Sequence, residues 1–110
     1  MDLIHKHLIV TGHFDIVNPL MWPWPKLHDL NDQLLKELDM KVLSGPHIAR
    51  CDDRGNEGWT MMTAITTSHI ILHTWDTEDF QLDIYSCKKY NIKTVLKVLE
   101  QNNFYSKKEQ

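Results

Sequence analysis

Basic charge is scarce in this chain. Twelve Lys and Arg stand against fifteen Asp and Glu, a formal net charge of −3. A protein that tracks a phosphate backbone concentrates cations on one face, so this balance excludes nucleic acid as the expected partner. Cysteine is also scarce, with Cys51 and Cys87 alone and no CxxC pair. That rules out a disulfide scaffold and a zinc ribbon, and predicts two reduced thiols in a cytoplasmic protein. Four glycines and four prolines exclude collagen-like or low-complexity chains. No apolar run nears the ~20 residues of a membrane span. His5, Lys6 and His7 interrupt what could otherwise be a signal-peptide core, so a soluble intracellular protein is expected.

What is present is ordinary globular material: 110 residues, 42% apolar and 25% charged, enough for one domain over residues 1–110. Lys6–Phe14 reads as a first strand, and Asn18-Pro19 and Trp22-Pro23-Trp24-Pro25 then break regular structure. From Lys26 the recurrence of Leu27, Leu30, Leu34 and Leu38 predicts an amphipathic helix. A second strand over Lys41–Ile48 is interrupted by Ser44-Gly45-Pro46, and a polar loop runs from Cys51 to Gly58. Strands follow at Trp59–Thr67, Ser68–Trp75 and Phe80–Ser86, the last alternating apolar and polar residues almost throughout. Lys93–Asn102 closes as a helix, and the charged tail Ser106–Gln110 is expected to fray. The order β-α-β-β-β-β-α predicts an α+β two-layer sandwich, a mostly antiparallel sheet with helices on one face. The second sheet face needs a cover, so a homodimer is expected.

Seven histidines are many for this length. His5 and His7 make an HxH pair on one strand face, but with no carboxylate or cysteine at a recognisable spacing they read as surface histidines, and no metal is expected. The chemically dense stretch runs from Thr66 to Trp75 and on to Cys87. Ser68, His69, His73 and Cys87 fall around one strand hairpin, where a hydroxyl, an imidazole and a thiol can converge. The five-residue step from Ser68 to His73 points the two side chains to opposite faces of an ideal strand, so a bend at Ser68 is required. A serine at a strand start is also a common turn residue, and a lone cysteine a common small core residue.

The run Ser68-His69-Ile70-x-x-His73-Thr74-Trp75, followed by Leu82-Asp83-Ile84-Tyr85-x-Cys87, resembles the signature of the prokaryotic S-adenosylmethionine decarboxylases. The opening Lys6–Val10 is similar to that family's first strand. The resemblance implies a self-processing, pyruvoyl-dependent carboxy-lyase that supplies the aminopropyl donor for spermidine synthesis. It implies that Ser68 attacks the preceding carbonyl, that the Thr67–Ser68 bond breaks, and that Ser68 becomes a covalent pyruvoyl group. That group would take the substrate amine as a Schiff base. It further implies that His73 assists the processing proton transfers, that Cys87 is the proton donor in turnover, and that dimers share residues between their sites. Thr67 stands where the family usually has Glu, Thr11 where it commonly has Glu, and Asp76-Thr77-Glu78 where it often has Pro-Glu. Asp76 is therefore the candidate for ribose hydroxyls, and Trp59, or else Trp22, for the adenine. The departures leave two other readings open: a pyruvoyl-dependent ornithine or arginine decarboxylase, and an unprocessed homologue that binds a nucleoside or a partner enzyme.

Overall fold

A computed structural model describes residues 4–110. Its strands are β1 (Lys6–Phe14), β2 (Val42–Cys51), β3 (Gly58–Ile65), β4 (Ser68–Trp75), β5 (Asp79–Ser86) and β6 (Phe104–Glu109), and its helices α1 (Trp24–Glu37) and α2 (Ile92–Gln101). The strands form one sheet in the order β2-β3-β4-β5-β1-β6, with every neighbour antiparallel. Both helices pack on one face, giving the expected two-layer α+β sandwich.

Alternation builds the layers. On β5, Phe80, Leu82 and Ile84 are buried beneath the helices while Gln81, Asp83 and Tyr85 point the other way. β4 follows the same rule, with Ile70 and Leu72 inward and His69, Ile71 and His73 outward. Leu27, Leu30 and Leu34 of α1 and Val95, Val98 and Leu99 of α2 fill the space over the sheet. Each of these fully buried aliphatic side chains contributes about 1.5–3 kcal/mol. Asn31 is the polar exception in the α1 stripe, accepting the Thr63 hydroxyl at 2.6 Å. Asn91 caps α2 by accepting the Lys93 amide at 2.8 Å.

Two local departures from the expected layout have physical causes. The Ser44-Gly45-Pro46 interruption does not end β2 but becomes two register shifts against β3, and the strand runs on to Cys51. The tail does not fray. Residues 104–109 add β6 to the free edge of β1, with His13 opposite Tyr105 and Gly12 opposite Ser106. The charges that read as a solvated tail are what an exposed sheet edge carries, because they discourage further strand pairing. Among the described residues no helix is long and apolar enough to cross a membrane.

Gly12 makes the β6 pairing possible, since a Cβ there would sit 1.9 Å from the Tyr105 carbonyl oxygen. Gly12→Ala is expected to lower stability by about 1–3 kcal/mol in urea unfolding. It should strip hydrogen-exchange protection from residues 105–109 before the rest of the sheet; unchanged protection there would contradict the pairing.

Candidate active site

The hairpin joining β3 to β4 turns in two residues, Thr66 and Thr67, between the paired residues Ile65 and Ser68. Turns this short favour Gly, Asn or Asp, which tolerate positive φ, and β-branched residues do not. The irregularity is passed to Ser68, whose φ is +149°. L-residues rarely adopt that region, at a cost of about 1–3 kcal/mol. The backbone therefore departs from an ideal strand at Ser68, beside the Thr67–Ser68 peptide.

The turn is pinned by the strand beside it. The Cys87 amide donates to the Thr67 carbonyl oxygen at 3.0 Å, and the Ser86 hydroxyl donates to Thr67 Oγ1 at 2.8 Å. The Lys88 amide in turn donates to Ser86 Oγ at 3.0 Å, and the Thr66 amide donates to the Lys41 carbonyl at 2.9 Å. Ser68 and Ser86 are cross-strand partners, so Cys87 lies at the same end of the sheet as the Thr67–Ser68 bond. Both Ser68 and Cys87 are half-buried, and Cys87 is a free thiol.

A chain of polar contacts leads away from Ser68 over the outer face. Ser68 Oγ lies 3.4 Å from His69 Nδ1, and His69 Nε2 lies 3.1 Å from Asp83 Oδ1. His7 Nε2 meets the same Asp83 oxygen at 2.8 Å. Tyr85 stands between the two imidazoles, stacked on His69 with centroids 6.0 Å apart and edge-on to His7 at 5.6 Å. The hydroxyl, imidazole and carboxylate are ordered as a nucleophile, a base and the group that orients the base.

Ser68, Thr67 and Cys87 are thus brought together, and the other singled-out residues are elsewhere. His73 sits opposite Thr60 and Gln81, five residues further along β4. At a strand rise of about 3.3 Å per residue that is about 16 Å from Ser68. Its ring stacks on Trp75, with centroids 4.1 Å apart and planes 14° apart. Asp76 lies past the opposite end of β4, with its carboxylate gripped by Arg50 at 2.6 and 2.7 Å. The guanidinium holds the Asp76 carboxyl below the usual carboxylate value, and Asp76 and Asp52 hold Arg50 firmly protonated. Trp59 faces the helix layer, where its ring meets Trp24 edge-on at 6.3 Å and lies under Arg50. The resemblance implies no role for His69 or Asp83. The Ser-His doublet was visible in the sequence, but the Asp83 contact appears only when β4 and β5 are set in register.

His73 has its own peculiarity. The residue is only partly covered, yet its Nε2 is sealed from solvent with no hydrogen-bond partner. Desolvation pushes the imidazole below its ordinary value. A lowered folded-state value means the unfolded chain binds the proton more readily. The associated stability is complete above about pH 6.5 and is lost progressively as pH falls from there through the lower folded-state value. A ring titration by NMR should give His73 a midpoint below that of free histidine, and His73→Asn should reduce the loss of urea stability between pH 7 and 5.5. A normal midpoint would show that the ring is hydrated.

A family model described as S-adenosylmethionine decarboxylase matches residues 14–109, and the chain belongs to that family. The match spans the hairpin, the Ser68–Cys87 stretch and both helices. No curated protein matches the chain in sequence. Membership carries decarboxylation of S-adenosylmethionine as the general activity, in polyamine biosynthesis, and the family is generally pyruvoyl-dependent.

Proposed function

We propose that this chain is a prokaryotic-type proenzyme that cleaves itself between Thr67 and Ser68 and then decarboxylates S-adenosylmethionine, supplying the aminopropyl donor for spermidine synthesis. The observation that carries the reading is the Thr67–Ser68 peptide: its carbonyl is held by the Cys87 amide, its serine is at φ +149°, and the serine hydroxyl lies at the His69 imidazole.

The residues present fit a pyruvoyl group made from Ser68. Asp83 accepts from His69 Nε2, which leaves the Nδ1 lone pair facing Ser68 Oγ. His69 then takes the hydroxyl proton as Oγ attacks the Thr67 carbonyl carbon. The charge that develops on the Thr67 oxygen is met by the Cys87 amide, already 3.0 Å away. The carbon–nitrogen bond breaks, the Ser68 nitrogen takes a proton as an amine, and Thr67 is left esterified to Oγ. Loss of the ester by elimination and hydrolysis of the resulting enamine release ammonia and divide the chain into residues 1–67 and 68–110. The group so made supplies a keto carbonyl, the electron sink needed for departure of carbon dioxide. Cys87, at the same end of the sheet, returns a proton to the substrate carbon. Thr67 replaces the usual Glu, and here its hydroxyl serves to fasten the turn to Ser86.

The reading also places the protein as a homodimer, paired through the outer sheet face in a reducing cytoplasmic setting. Support comes from the half-buried Ile9, Ile71, Tyr85 and Trp75 on that face, which neither helix covers. Support comes too from His73, which shares the outer face but is remote from its own Ser68. Across two stacked sheets, His73 would serve the Ser68 of the other copy, assisting the proton transfers of processing that follow ester formation. Asp76 and Trp59 take no assigned part in substrate binding, since Arg50 already occupies the one and the helix layer the other.

Intact mass after purification should show the two fragments. Ser68→Ala should leave one uncut chain with no turnover, and Asp83→Asn should slow cleavage tenfold or more. Cys87→Ala should still be cut but lose most turnover. Carbon dioxide release should appear with S-adenosylmethionine and not with ornithine or arginine; the reverse selectivity would move the enzyme to the amino-acid class. A wild-type chain that stays whole after long incubation would leave the noncatalytic, nucleoside-binding reading in its place. Co-expression of Ser68→Ala with His73→Asn should restore cleavage of the His73→Asn chain, which alone stays uncut. Failure to restore it would remove His73 from processing across the dimer.

A further inference from the structure

His5 and His7, at the start of β1, have no carboxylate at a recognisable ligand spacing in sequence, but the sheet supplies one for His7. His7, Tyr85 and His69 form a row across β1, β5 and β4, since Tyr85 is the register partner of both histidines. Asp83 lies two residues along β5 on the same face, diagonal to each histidine and within reach of both. The ligand atoms of His7, His69 and Asp83 all lie within 4.8 Å of one another. Both Nε2 atoms aim at one carboxylate oxygen, at 2.8 and 3.1 Å.

We propose that His7, His69 and Asp83 form a binding site for a late first-row divalent transition ion of the zinc type. Donors bound to such an ion at bond lengths of about 2.1 Å in tetrahedral geometry stand about 3.4 Å apart. Each imidazole therefore needs to withdraw from the Asp83 oxygen by only about 0.3–0.6 Å to admit it, with the two imidazole nitrogens, already within 4.8 Å of each other, taking up the same spacing. Two imidazoles with one carboxylate select zinc, cobalt or nickel over magnesium and calcium, which prefer all-oxygen surroundings. The orientations are supported from behind, His69 by stacking on Tyr85 and by Ser68 Oγ at Nδ1, and His7 by its edge-on contact with Tyr85. The side chains remain 47%, 37% and 26% exposed for His7, His69 and Asp83, so an ion has a way in and a fourth position stays open to solvent.

Occupancy has a chemical consequence, and this part rests on the self-cleavage reading above. Without an ion, the His69 proton sits on Nε2 against Asp83, and Nδ1 can accept from Ser68. With an ion on Nε2, the proton of the neutral ring moves to Nδ1. His69 then donates to Ser68 Oγ and no longer accepts its proton. A filled site therefore holds the chain in its uncut form.

Binding is tested in the Ser68→Ala chain, which cannot cleave, so the two ideas are separated. After chelator treatment, Co2+ titration followed by visible absorption and Zn2+ titration by calorimetry should give one ion per chain. His7→Ala added to that background should weaken binding tenfold or more, and so should the milder His7→Gln, with thermal melts confirming that both fold. His13→Ala, on the same strand against Tyr105, should bind as the parent does. No binding at saturating metal, or equal binding after loss of His7, would overturn the site. In the second arm, freshly refolded wild-type chain should cleave at least tenfold more slowly with Zn2+ than with chelator. Cleavage at one rate in both would overturn the coupling to Ser68. A chain that binds the ion but never cleaves would sink the self-cleavage reading and leave the metal site standing.

Discussion

The ladder between β4 and β5 is the constraint on which the rest depends. It sets Ser68 opposite Ser86, and so delivers the Cys87 amide to the Thr67 carbonyl. The same ladder sets His69 beside Tyr85 and diagonal to Asp83. A slip by one residue would turn Asp83 inward against the helices and push Phe80, Leu82 and Ile84 outward. The core thus enforces the register, and the register assembles the site. Hydrophobic burial on one face of two strands fixes the polar geometry on the other, although no apolar residue takes part in the chemistry.

The two sheet faces divide the labour. The inner face packs Leu8, Val10, Ile70, Leu72, Leu82 and Ile84 against two helices and carries the stability. The outer face carries His7, His69, Asp83 and Tyr85, all partly accessible, and His73, whose Nε2 is sealed from solvent. At the site, backbone strain falls on the hairpin that joins β3 to β4. Two threonines make a turn that suits them poorly, and the cost falls on the φ of Ser68, next to the bond whose cleavage would relieve it. One imidazole, His69, belongs both to the contact with Ser68 and to the cluster around Asp83, so the proposed proton transfer and the proposed metal site would draw on the same ring.

Much of the layout was legible along the chain. The leucine spacing from Leu27 to Leu34 marked α1, and the alternation from Phe80 to Ser86 marked β5, because burial imposes its period directly on composition. The tail was misjudged for an equally physical reason. Strand pairing at a sheet edge is made by backbone groups, and Lys107, Lys108 and Glu109 say nothing of the Gly12 gap that admits them. At the site, Ser68 and Cys87 could be singled out as a pair, but their juxtaposition needed the ladder. His69 was visible only as a neighbour of Ser68, and its link to Asp83 crosses from one strand to the next.

Sequence alone determined both helices, the first five strands, the inward and outward sets of β5, and membership of the decarboxylase family, because periodicity and local motifs are properties of contiguous residues. Tertiary structure alone decided which outward residues meet. It joined His7, His69 and Asp83, separated His73 from Ser68, and committed Asp76 to Arg50. Those outcomes depend on strand order and register, which arise from the packing of the whole core and are written in no single stretch of the chain.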